Sequence, residues 1–99
     1  MLIRIVRMTF RPEAVDPFLA VFNASKNRIR AFPGCSHLEL FRDLDQPHSF
    51  CTYSYWKNAE ALEAYRNSEL FKTTWAKTKI LFAEKAMAFS VERVEEVVS

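Results

Sequence analysis

The sequence is poor in the features that mark several common kinds of functional site. It has one glycine in 99 residues, which argues against a Gly-rich phosphate-binding loop and against flexible linkers. Its apolar runs are far shorter than the roughly 20 residues that a membrane-spanning helix needs. The net charge is only +2, and the basic residues are spread along the chain. We therefore expect neither nucleic acid nor a membrane as a partner.

Cysteine is also scarce. Cys35 and Cys51 are the only two, and they fall on two successive predicted strands. If those strands form a hairpin, Cys51 lies opposite roughly Leu40, so the two thiols do not face each other. Neither belongs to a CxxC motif, and we expect free, reduced thiols.

Segment 1–10 lacks a signal-peptide cleavage pattern and is predicted to be a strand, which favours a cytoplasmic protein.

Large apolar residues, by contrast, are plentiful. Hydrophobic residues make up 49% of the chain, and nine of them are phenylalanines. A chain of this length has room for one domain, which we place at 1–99. Because a small domain buries only a modest fraction of its surface, this apolar supply exceeds the needs of a monomer. The surplus indicates a homodimer.

Hydrophobic periodicity predicts four strands and a long first helix. From Phe18 to Phe32, apolar residues recur every three or four positions, as on one face of a helix. Asp16 is predicted to be its N-cap, with Pro17 at the first helical position. The alternation of apolar and polar residues that is typical of strands occurs at 2–10, 35–42, 49–56 and 84–94.

A second helical region follows the third strand. Asn58 is predicted to cap it, and Ser68 is predicted to restart the helix or to continue it after a bend. The resulting order, β-α-β-β-α-β, is that of a ferredoxin-like α+β sandwich with both helices on one face of an antiparallel sheet. The other sheet face is left bare, and a second copy of the chain is the simplest cover for it.

Three short patches resemble a known family. They are AFPGC at 31–35, WKNAEAL at 56–62 and SELF at 68–71. They are similar to the helix-to-strand turn, the strand-to-helix turn and the second helical start of the antibiotic biosynthesis monooxygenase family of dimeric α+β barrels. The likeness extends over nearly the whole chain in the order of its elements.

This resemblance implies a homodimer of ferredoxin-like subunits, each with a pocket between its sheet and its helices. Members of the family include cofactor-free oxygenases that act on quinols or polyphenols, and also haem-degrading enzymes. Many other members have no assigned activity. The family therefore implies a fold and a place for a ligand more directly than it implies a reaction.

The chain departs from the family at several functional positions. Haem-degrading relatives have a haem-ligating histidine where this chain has Trp75, and a tryptophan where it has Tyr65. They also carry a catalytic asparagine in the first strand, and 2–10 contains none. An indole cannot donate a lone pair to iron as an imidazole does. Many quinol-type relatives read His-x-x-Ser-x-His-Phe where this chain reads YRNSELF at 65–71, so both of those histidines are absent.

The candidate site residues come mainly from 49–75, which holds every tryptophan and tyrosine of the chain. Tyr65 and Arg66 are the catalytic candidates, as a phenol and a cation that can hold an anionic ligand. Helical aromatics at such spacing are also common core residues, and His37 can face either a pocket or a dimer interface. The substrate-binding candidates are Trp75, His37, Trp56 and Phe71.

Two functions remain open at this point. One is a cofactor-free monooxygenase acting on a small aromatic or quinol-type substrate, which itself reduces oxygen once it is bound dry and deprotonated. The alternative is a non-catalytic dimeric module that binds a small apolar ligand. A haem-degrading monooxygenase comes third because of Trp75. We expect no bound cofactor, and the spacing of the histidines and carboxylates predicts no metal site.

Overall fold

The computed structural model describes residues 1–99 and contains one antiparallel sheet and three α-helices. The predicted order β-α-β-β-α-β and the α+β, ferredoxin-like fold are confirmed, with the second helical region divided in two. A 3-10 turn at Pro12–Ala14 precedes the first helix. The elements are β1 (Leu2–Thr9), α1 (Val15–Arg30), β2 (Cys35–Arg42), β3 (Ser49–Trp56), α2 (Ala59–Arg66), α3 (Glu69–Lys79) and β4 (Met87–Glu92).

The sheet has the strand order β2-β3-β1-β4, and every neighbouring pair is antiparallel. Residues directly opposite each other in such a sheet point to the same face. The even-numbered residues of β1 and β3 pack toward the helices, as Met8 and Phe50 do in the core. The odd-numbered residues point to the opposite face, which no helix covers. The sheet therefore separates a helix-covered face from a bare one.

The buried side chains form two clusters under the helices. The larger cluster is aromatic, with Phe10 stacked on Phe18 at 4.2 Å between ring centroids and Phe50 packed against both. The smaller one consists of Cys35, Trp56 and Leu62 at the other end of the sheet. Because the two clusters lie apart, the helix-facing side of the sheet is not filled continuously.

Two helix starts follow the side-chain capping rule. The Asn58 side chain accepts a hydrogen bond from the Ala61 backbone N–H at 2.8 Å, and Ser68 Oγ accepts one from the Phe71 N–H at 3.1 Å. Each bond satisfies one backbone donor that the first turn of a helix leaves unpaired. Ser68 also donates to the Tyr65 carbonyl oxygen at 2.6 Å, which joins the end of α2 to the start of α3.

The single glycine ends the turn between α1 and β2. Gly34 has φ +92°, in the left-handed region that side-chain-bearing residues rarely adopt. A Cβ atom built at this position would lie 2.6 Å from the Cβ of Ala61. The turn that brings β2 alongside the start of α2 therefore requires glycine for both its backbone conformation and its lack of a side chain.

Three details of the prediction are wrong. Helix α1 begins at Val15 with Ala14 at the N-cap position and no side-chain cap, since the 3-10 turn already leads the chain into the helix. Asp16 therefore lies in the first turn, where its carboxylate interacts favourably with the positive end of the helix dipole. Strand β4 is shorter than predicted. Cys51 pairs with Phe41 rather than Leu40, and both cysteines are free, as predicted.

None of the helices combines the length and the apolar character needed to cross a membrane.

Candidate ligand cavity between the sheet and the helices

A cavity of about 270 Å³ lies between the helix-facing side of the sheet and the three helices. Its volume is near the lower end of the roughly 300–1,000 Å³ that is usual for small-molecule sites. Of its 19 lining residues, 13 are hydrophobic. The polar residues that line it are Arg4, Thr52, Ser54, Arg66, Thr74 and Thr78.

Strand alternation explains which residues of the sheet reach this cavity. Arg4, Val6 and Met8 of β1 are even-numbered and therefore share the helix-facing side. Thr52 and Ser54 lie beside them on β3, opposite Val6 and Arg4 respectively. The small hydroxyl residues leave space where larger side chains would fill the core, so the cavity opens between the two buried clusters.

A continuous series of aromatic rings forms one wall. Trp56 stacks on Tyr65 with 4.8 Å between ring centroids, and Tyr65 meets Phe71 edge-on at 5.2 Å. Phe71 in turn stacks on Trp75 at 5.8 Å with an interplanar angle of 11°. The Trp56 Nε1–H donates to Ser54 Oγ at 2.9 Å, which fixes that indole in place. Such a wall suits a flat apolar ligand.

Tyr65 places a neutral phenol in this wall. Burial, with a smaller contribution from the nearby Cys35 thiol, raises the pKa of Tyr65 to about 12. Its hydroxyl is not bonded to another protein group, and no buried side-chain polar atom lacks a partner. The hydroxyl must therefore reach accessible space, and it is free to donate a hydrogen bond to a ligand. At neutral pH it cannot act as a base.

Two guanidinium groups line the same cavity. Arg4 donates from Nη1 to Ser90 Oγ of β4 at 3.1 Å. Burial, and secondly the positive charge of Arg66, lower the pKa of Arg4. Arg66 forms an ion pair with Glu63 one turn earlier in α2, at 3.5 Å. No aspartate, glutamate or histidine lines the cavity, so its charged groups are all positive.

Five of the six candidates from the sequence line this cavity: Tyr65, Arg66, Trp75, Trp56 and Phe71. Their individual roles remain predictions. Trp56 is almost fully buried, with 1% of its surface exposed, so it supports the wall more than it meets a ligand. Trp75 is half-buried and faces the cavity through its stack on Phe71.

His37 is not among the lining residues. It pairs with Tyr55 across β2 and β3, on the side of the sheet that faces away from the helices. Its Nε2 lies 2.6 Å from Glu39 Oε1, and its ring is 4.6 Å from that of Tyr55. An irregularity in the β2–β3 pairing between Cys35 and His37 shifts the register at this point. His37 therefore lies outside this cavity, and its contact with a ligand stays a prediction.

Arg4 lines the cavity although it was not among the site residues chosen from the sequence, because surface pairing with a carboxylate is the more common role of such an arginine. Its signal is present in β1, where it shares its face with Val6 and Met8. A charged residue on the apolar face of a strand is uncommon and often marks a site. The sequence could not show that β4 would provide Ser90 as its partner.

The cavity does not fit a histidine-ligated haem. Neither imidazole lines it, since His37 is on the other sheet face and His48 is in the β2–β3 loop. The position at which haem-degrading relatives have the histidine that binds the haem iron is Trp75 in this chain, and an indole has no lone pair to donate to iron. No three histidine, cysteine, aspartate or glutamate side chains are close enough together to bind a metal ion.

Comparison with known proteins identifies a family and agrees with the fold. The sequence model of the antibiotic biosynthesis monooxygenase family matches residues 1–77, and no curated protein matches the chain significantly. A crystal structure of an antibiotic biosynthesis monooxygenase superposes with a TM-score of 0.89 at 23% identity, covering 96% of this chain and 100% of that one.

Two further structures share the fold. The Mycobacterium tuberculosis protein Rv0793 has a TM-score of 0.88 at 21% identity, with 98% of each chain covered. The Pseudomonas aeruginosa protein PA3566 has a TM-score of 0.83 at 23% identity, with 95% of this chain and 94% of that one covered. Together with the family match over most of its length, the order of its elements and the cavity between sheet and helices, these findings place the chain in the antibiotic biosynthesis monooxygenase family.

Proposed function

We propose that this protein is a cofactor-free monooxygenase that oxidises a small aromatic or quinol-type substrate in the cavity. The observation that carries the proposal is the combination of an aromatic wall, a neutral phenol at Tyr65 and two guanidiniums in one largely apolar space. These groups can bind a flat ring system and hold negative charge on it. They offer no group that could activate oxygen by itself.

The substrate then supplies the electrons. An activated ring methylene loses a proton, and the resulting carbanion transfers electrons to O₂ to form a carbon-bound peroxide. Loss of water from the peroxide leaves a carbonyl. In sum, one CH₂ and one O₂ give one C=O and one H₂O, so the four electrons taken from carbon equal those accepted by oxygen. No external reductant is required.

The residues act on the anion in this scheme. Tyr65 donates a hydrogen bond to the oxygen that carries the negative charge of the deprotonated substrate, and Arg66 stabilises the same charge. The wall formed by Trp75 and Phe71 keeps water out, which strengthens both interactions. The cavity has no carboxylate or imidazole to take the proton. The substrate therefore loses this proton to water before it is enclosed in the cavity, and it must be acidic enough for that.

Oxygen uptake with a panel of quinols and aromatic ketones, in the presence of a metal chelator, tests the proposal. Tyr65→Phe is expected to lower kcat by about 100-fold, as the loss of one donor to an oxyanion typically does. Tyr55→Phe is the matched control, because Tyr55 is on the other sheet face, and it should keep its turnover. Equal rates in the two variants would remove Tyr65 from the reaction, and no uptake with any compound would contradict the proposal.

The second candidate function is a non-catalytic dimeric module that binds a small apolar ligand. The absence of any acid–base residue among the lining side chains favours it. It predicts that aromatic compounds raise the melting temperature without oxygen consumption or product. A ligand that both stabilises the protein and is consumed would exclude this function.

We also propose that the protein is a homodimer in which the bare sheet faces of two copies pack together. This face carries exposed apolar side chains in two strands: Phe41, Met87, Phe89 and Val91 are 40–62% exposed. Tyr53 and Tyr55 lie between them on β3. An apolar face of this kind is costly to leave in water, and the family relationship supports a second copy as its cover.

A further inference from the structure

The charge of the cavity says more about its ligand than the proposed function states. Two of its lining residues, Arg4 and Arg66, are cationic, and none is anionic. A half-buried charge is costly unless a counter-charge is nearby. Arg4 is such a charge, and no residue that lines the cavity supplies its negative partner.

Arg4 has no carboxylate of its own. The structure contains four ion pairs, and none of them includes Arg4. Its protein hydrogen-bond partner is the neutral hydroxyl of Ser90, which lies directly opposite on the edge strand. The bond orients the guanidinium beside the cavity and leaves its charge uncompensated.

Arg66 is only weakly engaged. Its partner Glu63 lies at 3.5 Å, and both side chains are about half exposed. Exposed pairs within one helix contribute little to stability and are easily exchanged for another partner. Arg66 is near enough to Arg4 for its charge to lower the pKa of Arg4. The two guanidiniums together make this part of the cavity electropositive, which favours an anion there.

We propose that the ligand of this cavity is an aromatic compound with an anionic oxygen group, a carboxylate or an ionised phenol, that binds between Arg4 and Arg66. The aromatic rings of the ligand lie against the wall of Trp75 and Phe71, and its charge meets the two guanidiniums. The inference rests on the proposed function only in taking this cavity as the ligand site. It holds whether the ligand is turned over or merely bound.

The test uses matched probes and measures binding without turnover. Calorimetric titration with 2-naphthoate and with its neutral analogue 2-naphthamide compares two ligands of nearly the same shape. The wild-type protein is expected to bind the naphthoate at least about tenfold more tightly, as expected for charge-assisted hydrogen bonds. Equal affinities, or no binding of either probe, would overturn the proposal.

Variants locate the charge. Arg4→Gln and Arg66→Gln should each reduce the preference for naphthoate to about twofold or less, whereas Arg4→Lys should keep part of it. Arg28→Gln is the control, since Arg28 is outside the cavity, and should keep the full preference. Circular dichroism confirms that each variant is folded. A preference retained in both Gln variants would refute the assignment.

A third probe separates the two sources of negative charge. The absorbance spectrum of 2-naphthol changes when it ionises, so a lowered apparent pKa on binding identifies a phenolate ligand. Preference for naphthoate with no shift for naphthol identifies a carboxylate. Because these experiments need no oxygen consumption, a failed monooxygenase assay with an intact anion preference would disprove the proposed reaction and leave this inference standing.

Discussion

At the scale of single residues, Tyr65 and the two arginines carry most of the chemical information. Tyr65 lies among aromatic rings that hold its phenol neutral, while Arg4 and Arg66 remain charged in the same cavity. A neutral hydrogen-bond donor and two cations are suited to binding a ligand that carries an anionic group. None of the three is suited to removing a proton at neutral pH.

The raised pKa of Tyr65 predicts how stability depends on alkaline pH. Its pKa is about 12 in the folded protein against an ordinary 10, so between these values the unfolded chain loses this proton while the folded chain keeps it. The free energy of unfolding should then fall by roughly 1.4 kcal/mol per pH unit because of this group alone. Below about pH 10 Tyr65 is neutral in both states and has no effect.

Urea denaturation of the wild type and of Tyr65→Phe across this alkaline range measures the effect. Other titrating groups are common to both proteins and cancel in the difference. The wild type should lose stability faster than the variant as the pH rises. Parallel curves would mean that the phenol is more hydrated than the structure indicates.

Gly34 provides a second prediction at this scale. Gly34→Ala should lower the free energy of unfolding by about 2 kcal/mol or more. A side chain is strained in the left-handed backbone conformation, and the new Cβ would lie only 2.6 Å from the Ala61 Cβ. Thermal or chemical denaturation measures the loss. In a background of Ala61→Gly the steric part is removed, so the same substitution should cost less. An equal cost in both backgrounds would assign the whole effect to the backbone.

Single residues were only partly predictable from the sequence. Tyr65 and Trp75 could be named as candidates because they are aromatic residues of the stretch 49–75, although their helical spacing is also typical of core residues. His37 could not be placed, because an irregular register at the start of β2 decides which face it takes. Arg4 was not chosen as a site residue because surface pairing with a carboxylate is the more common role, and its actual partner Ser90 lies 86 residues away in the sequence.

At the scale of elements, the break between α2 and α3 builds the cavity. The two short helices meet at Ser68, whose hydroxyl bonds both the Tyr65 carbonyl and the Phe71 N–H. Tyr65 at the end of α2 and Trp75 in α3 both line the cavity on either side of this junction. The sequence predicted this restart because a serine followed by a glutamate is a typical helix start.

Ser68→Ala should therefore cost about 1 kcal/mol of stability through the lost cap, and it should also weaken the binding of naphthoate. Ser68→Asp keeps an acceptor at the cap and should retain most of the stability. Chemical denaturation and calorimetry measure the two effects. Ser36→Ala, at an exposed position in β2, is the control. If Ser68→Ala were as stable as the wild type, the cap would not hold the junction.

The bounds of other elements depended on contacts that the sequence does not show. The pattern Asp16-Pro17 looks like a helix start, yet Pro12 already begins a 3-10 turn that leads into α1 at Val15. Strand β4 stops where its pairing with β1 stops, at Glu92. Local propensity favoured the correct type of element, and tertiary pairing set where each one begins and ends.

At the scale of the whole molecule, the two faces of the sheet have different uses. One side holds the cavity, and the other presents the apolar face that we assign to a second copy. The β-α-β-β-α-β order predicted the bare face, and the resemblance to the family implied a pocket on the other side. It could not predict the volume or the charge of the cavity, which depend on how four strands and three helices pack.

Phe89→Asp should convert the proposed dimer to a monomer. It introduces a charge into the apolar face, and burying that charge in the interface should raise the dimer Kd by at least about 100-fold. Sedimentation velocity over a range of protein concentrations measures the change. Leu44→Asp is the matched control, because Leu44 is 98% exposed in the β2–β3 loop. A wild type that is monomeric at micromolar concentration would contradict the assembly.

Strand β4 connects these two faces. Met87, Phe89 and Val91 point to the bare face, whereas Ala88 lines the cavity and Ser90 holds Arg4. Only β1 pairs with this edge strand. A ligand in the cavity and a second copy on the bare face should therefore each stabilise the same position of β4. Binding of a ligand and association of subunits should then be thermodynamically linked, with each tightening the other by the same factor.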